Sequence, residues 1–515
     1  MARHQPFSAD DIPRIERLPG PRDWSEASIA RQRAALNDFE ARWKNLGTAG
    51  IDYRLIGSAL ARVHWELDIN QRWRRDPSFY VDQTLTAVLE SLIQPPPFDA
   101  TRIRTILERT EEIPKILEDG KTNLRPVRPF AQLAIDALTQ IRPKLTRVEG
   151  AVAPMLQDNL AGRFQTATEK AIAALESYRA WLESRLNGMS GDAAIGRAGY
   201  EFFLRNVALI PYTPEQLLAL SREEWSRSVA FEALEKQKNR KLPELPLAAS
   251  LDTEIANAKR DELAIRRFLE EKEILTVPPD VQHYTLKPMP AYLEALSDFG
   301  ELDDFTGPSR LHNDSVRWAV PPSLQLGYFW LATAKDPRPI IVHEGVPGHY
   351  FQMCLGWKNP DPIRRHYYDS GANEGIGFYA EEMILQAGLF DNSSRTREIV
   401  YNFMRLRALR VEVDVKLAIG QFTFDQAAAY LAEHVPMDPK TAHQEAALFA
   451  TTPGQAISYQ VGKAQILHFL AAARVAQGAN FNLRKFHDFL WMNGNVPIAL
   501  QRWEYLGKSD DLPAN

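Results

Sequence analysis

Apolar residues recur at three- and four-residue spacing over most of the chain, the period of amphipathic helices. Residues 27–43 form one such run, 161–186 a second that is rich in Ala, Leu, Glu and Arg, and 251–275 a third with dense charge. Glu270, Glu271, Lys272 and Glu273 read as the solvated face of that third helix. Breakers fall between the runs. Pro95, Pro96 and Pro97 close one helical stretch, the Leu-Pro-Glu-Leu-Pro segment at 242–246 separates two others, and Pro278 and Pro279 end the third. From 284 to 339 prolines and aromatics crowd in and the helical period fades; here Ser-Leu-Gln-Leu-Gly-Tyr-Phe-Trp at 323–330 is predicted to form one or two short strands. Helical patterning returns at Pro339. The pattern predicts a mainly α protein with a small β element, divided into an N-terminal helical lobe over 1–275 and a second lobe over 276–515.

Composition narrows the function classes. A chain of 515 residues with 45% hydrophobic positions buries a sizeable core without covalent staples. Sixty-one basic against sixty-six acidic residues leave a net charge of -5, which offers no broad basic field to a phosphate backbone, so nucleic acid is not an expected partner. Cys354 is the single cysteine; it excludes an intrachain disulfide, suits a reducing compartment and reads as a small buried residue. The first residues carry acids and no apolar signal segment, and no run of about 18 uncharged apolar residues occurs. These features point to a cytoplasmic protein with no membrane partner; they leave the oligomeric state open.

The chemistry concentrates after an apolar lead-in, Ile340-Ile341-Val342, in His343-Glu344-Gly345-Val346-Pro347-Gly348-His349. A His-Glu pair followed by a second His is the pattern of a zinc helix, but the usual spacing of four places both rings on one face. Six residues amount to about 600° of a regular helix, which sets the rings roughly 120° apart. Pro347 cannot donate to the carbonyl of His343, and Gly348 permits a widened turn, so a break at 346–348 is expected to return His349 to the face of His343. A third ligand is required. The segment 371–382, Gly-Ala-Asn-Glu-Gly-Ile-Gly-Phe-Tyr-Ala-Glu-Glu, offers Glu374, with small residues at 375 and 377 that would let its helix approach the first closely. Glu381 lies seven residues on, within about 20° of the same face, and suits a partner that orients a ligand His. The remaining candidates, such as His64, His283, His312, His434 and His487, have no partner at ligand spacing and read as structural.

The string His-Glu-Gly-Val-Pro-Gly-His-Tyr-Phe-Gln at 343–352, followed by Asn-Glu-Gly-Ile-Gly-Phe-Tyr-Ala-Glu-Glu at 373–382, resembles the bacterial family known as domain of unknown function 885, whose members carry HExxPGHxxQ and then EGWxxYxE. The resemblance extends to Pro453-Gly454-Gln455-Ala456 with Tyr459 and Gly462, and more weakly to the Arg-rich segment 404–414 that ends in Asp414. Two positions depart from it: Tyr350 stands where many members have a second His, and 414–418 lacks the His of their DTGxH string. The family is grouped with gluzincin-type metallopeptidases. The resemblance implies a two-lobed, oligopeptidase-like helical body with a deep cleft, one zinc per chain, His343, His349 and Glu374 as ligands, and Glu344 as general base.

The resulting expectation is a zinc-dependent hydrolase of peptide or related amide bonds in small substrates. Tyr459 would donate to the developing oxyanion, and Lys463, four residues on, or Arg405, Arg407 or Arg410 from another helix would bind a substrate carboxylate. The alternative is a helical binding scaffold that has lost its metal chemistry.

Overall fold

The computed structural model describes residues 22–47, 50–156, 158–300, 302–305 and 311–513. The leading segment 1–21, whose acids and missing apolar stretch bear on targeting, lies outside them. The periodic runs are helices: Glu26–Lys44, Asp158–Glu183 and Leu251–Glu271. The breakers act where expected. One helix stops at Leu92 before the three prolines, and 242–246 separates Pro214–Asn239 from Leu251–Glu271. Ser250 starts the latter by accepting from the N–H of Thr253, one of the donors a helix start leaves without a partner.

The β element is a two-stranded parallel sheet, Tyr284–Pro288 beside Ser315–Ala319, in the register Tyr284 to Ser315 through Pro288 to Ala319. It does not involve 323–330. That segment turns at 324–326 and then enters a helix, Tyr328–Lys335, whose first N–H donates to Asp438 and whose Tyr328 hydroxyl donates to Asn402. Aromatic content suggested a strand there, but Tyr328 and Phe329 pack on Phe403 as adjacent members of a helix rather than as alternating faces of a sheet.

Packing crosses position 275 in both directions. The N-terminal helices share a core, with Trp24, Phe79, Tyr80 and Tyr178 among its buried members, that also takes in Tyr292, Leu296, Phe299 and Trp318. Helix Leu251–Glu271 contributes Ala258, Ile265 and Leu269 to a second core, with Ile341, Phe351, Ile376 and Trp491. That second core surrounds the conspicuous motif. Within it Ser370–Ala387 lies against Ile457–Gln477, and Gly375 meets Gly462 at so short a distance that a Cβ on Gly375 would stand 2.7 Å from the Gly462 backbone. Pro214–Asn239 runs along Ser394–Ala418 behind them. Among the described residues no helix is long and apolar enough to cross a membrane.

Candidate metal centre

The expected break between the two histidines is present. Residues Ile341–Gly345 widen into a π turn closed by Val346 N–H to the carbonyl of Ile341 at 2.8 Å. Val346 is extended, the peptide before Pro347 is cis, and a new helix, His349–Trp357, opens at the second histidine itself. Gly348 is required at the break, because a Cβ there would collide with the carbonyl of His343. His343 thus ends one helical segment and His349 begins the next, and their rings lie 4.7 Å apart between centroids, edge to face.

Glu374 completes the group from the second turn of Ser370–Ala387, a helix whose N-terminus is capped by Asp369. One donor atom from each of His343, His349 and Glu374 lies within 4.8 Å of the other two, and all three side chains are buried. Glu374 Oε2 is 3.5 Å from His343 Nε2 and 3.2 Å from His349 Nε2. Ligand bonds of about 2.0–2.2 Å arranged tetrahedrally would separate donors by roughly 3.3–3.6 Å. One edge falls in that range and the other lies 0.1 Å below it, and the set of two imidazoles and one carboxylate suits zinc. Gly377 holds the rings from behind: a Cβ there would stand 2.8 Å from His349 Cε1 and 3.0 Å from His343 Cε1. Only one of the two small residues therefore packs as expected, since Gly375 serves the crossing with Gly462 instead.

Glu381 takes the other side of His343, with Oε1 2.7 Å from Nδ1. A hydrogen on Nδ1 leaves the Nε2 lone pair directed at Glu374, the tautomer that a metal-binding imidazole needs. Arg407 fixes Glu381 at 2.8 Å. Burial and Arg407 oppose a positive charge on His343, yet hydrogen bonding to Glu374 and Glu381 outweighs them and raises the ring to about 9. The pocket is thus one that favours a cation, and a proton must leave when a metal enters. Glu344 Oε2 lies 4.0 Å from His349 Nε2, at the edge of the cluster and still partly exposed. Tyr459 stacks parallel to His343 at 6.1 Å, and Arg410 covers its ring at 4.5 Å.

The segment that carries Tyr459 is anchored by Asp414, which accepts from the N–H groups of Gly454 at 2.8 Å, Ala456 at 2.7 Å and Ile457 at 3.2 Å. This satisfies donors at the start of Ile457–Gln477 and places a carboxylate where the helix dipole favours one.

The candidates for a substrate carboxylate are engaged elsewhere. Lys463 is fully buried and bound to Glu224 at 2.7 Å and Glu382 at 2.8 Å. Arg405 pairs with Glu232 at 3.2 Å, Arg410 with Glu445 through two short bonds, and Arg407 with Glu381. Lys463 shares the helix of Tyr459 but not its surroundings. One group near Glu344 has no signal in the sequence: Tyr284 donates to Asp303 at 2.5 Å, Arg317 pairs with the other oxygen of Asp303 at 2.5 Å, and the Tyr284 ring backs Gly345. Arg317 also lies within electrostatic range of Glu344. Nothing local marks these residues, because the register of the parallel sheet is what brings them to the site. Cys354 is buried, and His487 is a satisfied core histidine between Tyr379 and the carbonyl of Ile274.

No curated protein matches the sequence. Two solved structures share the fold. A "putative lipoprotein of unknown function" from Shewanella oneidensis superposes with a TM-score of 0.69 at 19% identity, covering 94% of this chain and 93% of that one. A "putative lipoprotein" from Colwellia psychrerythraea does so with a TM-score of 0.66 at 18% identity, over 80% and 77%. The sequence profile of a family described as "bacterial protein of unknown function (DUF885)" matches residues 20–503.

Proposed function

The chain belongs to the DUF885 family of bacterial proteins, and we propose that it is a zinc-dependent hydrolase of peptide or related amide bonds in small substrates. The observation that carries this reading is the convergence of His343, His349 and Glu374 across a broken helix, with Glu344 beside them. His343, His349 and Glu374 would hold one zinc ion, in the manner of gluzincin-type metallopeptidases. An ion held there supplies Lewis-acid polarisation of a carbonyl and makes water a better acid.

The remaining roles fall to the chain. Glu344 takes the proton of the attacking water and passes it to the leaving nitrogen; its partial exposure lets water reach it. Glu381 keeps His343 in the Nδ1–H form, and Arg407 holds Glu381 in place. Tyr459 donates its phenol hydrogen to the oxyanion that forms on the substrate carbonyl, with its ring steered by contacts to His343 and Arg410. A scaffold without metal would have no use for three buried donors directed at one point, nor for a carboxylate beside them.

The test is metal content per chain, measured by elemental analysis of protein purified without chelators or a histidine tag, with His349→Ala alongside. About one zinc in the parent and little in the variant is the expected result. Peptide and amide libraries then define the scissile bond. No metal in either protein after incubation with zinc would overturn the proposal in favour of a binding scaffold.

A further inference from the structure

A second cavity, of about 220 Å³, opens where the loop 246–249 and the start of helix Leu251–Glu271 meet the end of helix Tyr328–Lys335. None of its lining residues belongs to the metal centre. Its walls combine short apolar residues, Ala248, Ala249 and Ala334, with the uncharged polar side chains of Thr253 and Asn257, and the Ala248 N–H donates to the carbonyl of Ala334 at 3.0 Å. At roughly 30 Å³ per water, the space would hold about seven waters.

Two charged side chains line it. Glu254 is only 3% exposed, and its Oε2 has no hydrogen-bond partner among the described residues. Lys335, half-buried, also makes no side-chain ion pair or hydrogen bond among them. The two do not pair with each other. A buried carboxylate without a partner is costly, and burial pushes the Glu254 carboxyl up to about 7 against the pull of Arg317.

We propose that this cavity binds the zwitterion of a small α-amino acid, with Glu254 receiving the ammonium group and Lys335 the carboxylate. Each simpler ligand meets a like charge. An amine would satisfy Glu254 but face Lys335, and a carboxylic acid would satisfy Lys335 but face Glu254. A divalent cation would find one carboxylate beside an ammonium group, too few oxygen ligands for a hard ion. The alanine walls leave room for a short side chain and no charge to recognise a longer polar one. The proposal stands on the cavity alone and holds whether or not the chain is a hydrolase.

The test is titration calorimetry of the full chain with L-alanine, beside ethylamine and propionate as probes carrying one charge each. Saturable alanine binding is expected, weakened about tenfold or more by Glu254→Gln and likewise by Lys335→Met, since each substitution removes a charge-assisted hydrogen bond. Both one-charge probes should bind at least about tenfold more weakly than alanine. Lys335 is not a core position, so its variant keeps the test decisive if Glu254→Gln fails to fold. No saturation by about 20 mM alanine, undiminished binding in a folded variant, or equal binding of ethylamine would overturn the proposal. The titration is repeated after chelation and with Glu344→Gln. Unchanged binding supports the separate site, whereas loss on chelation would put alanine at the metal centre and overturn it.

Discussion

Glu381 and Glu382 are neighbours in sequence, and both are buried, yet they serve clusters of opposite character. Glu382 joins a closed ring: Lys463 touches Glu382 at 2.8 Å and Glu224 at 2.7 Å, and Arg227 touches the same two carboxylates at 2.7 Å each. Two cations face two anions and nothing is left over. Glu381 joins Glu374 and Glu344 around the two histidines. Of the nearby guanidinium groups, Arg317 pairs with Asp303, Arg410 with Glu445 and Arg407 with Glu381 itself. The ring is self-neutralised and ties three helices together. The other cluster brings two imidazoles and a carboxylate to one point, the donor set that the proposed zinc ion would join. Buried charge by itself does not mark a candidate site; donors converging on one point do.

The comparison breaks most visibly on activity. Glu344→Gln should lower amide hydrolysis by about 100- to 10,000-fold, the range for loss of a general base, while zinc content stays the same. An unchanged rate would sink the assignment of the base. Lys463→Met should do the reverse. It leaves two buried carboxylates with one half-exposed arginine and should cost about 3–5 kcal/mol in denaturant unfolding, with zinc stoichiometry intact. Loss of zinc in that variant would show that the ring and the metal centre are one unit.

His487 offers a third kind of buried polar group, neutral and satisfied: its Nδ1–H donates to Ile274 and its Nε2 accepts from Tyr379. Burial lowers its pKa to about 4. In the unfolded chain the ring titrates near 6.5. Between those values the unfolded state binds a proton that the folded state refuses, so stability is full above about pH 6.5 and falls as pH drops toward 4, by up to about 3 kcal/mol. His487→Gln should remove that component from the pH dependence of unfolding; an identical slope in both proteins would refute it. The smallest effect sharpens the comparison from within the metal centre. Glu381→Gln keeps an acceptor near His343 Nδ1 but loses the charge, and competition with a chromophoric chelator should show zinc affinity reduced about 10- to 100-fold. Unchanged affinity would reduce Glu381 to a packing role.

The convergence of His343, His349 and Glu374 was largely legible in the sequence because its signals are local. A His-Glu pair, a Pro-Gly break and a second His make a geometric argument within seven residues, and Glu381 follows Glu374 by two helical turns. The helices were equally readable, since their period and their breakers share one short window. Lys463 shows what local reading misses. Its partner Glu224 is 239 residues away, so nothing near 463 distinguishes a substrate-binding lysine from one already neutralised. The strand expected at 323–330 failed for a related reason. Aromatic residues favour strands only beside a partner strand, and the sheet instead paired 284–288 with 315–319, carrying Arg317 and Tyr284 to the edge of the site.

The three residues proposed as ligands come from one short stretch of chain, His343 through Glu374, while Arg407 and Tyr459 arrive from far along it. Closing so small a loop costs little chain entropy. An ion can therefore be captured by this stretch before the distant helices dock, and binding energy gained that early becomes folding energy. Refolding with zinc present should then form the pairing of the 341–357 and 370–387 segments first, with the arrival of Tyr459 as the later event. The metal would act as a nucleus for assembly as well as a reagent.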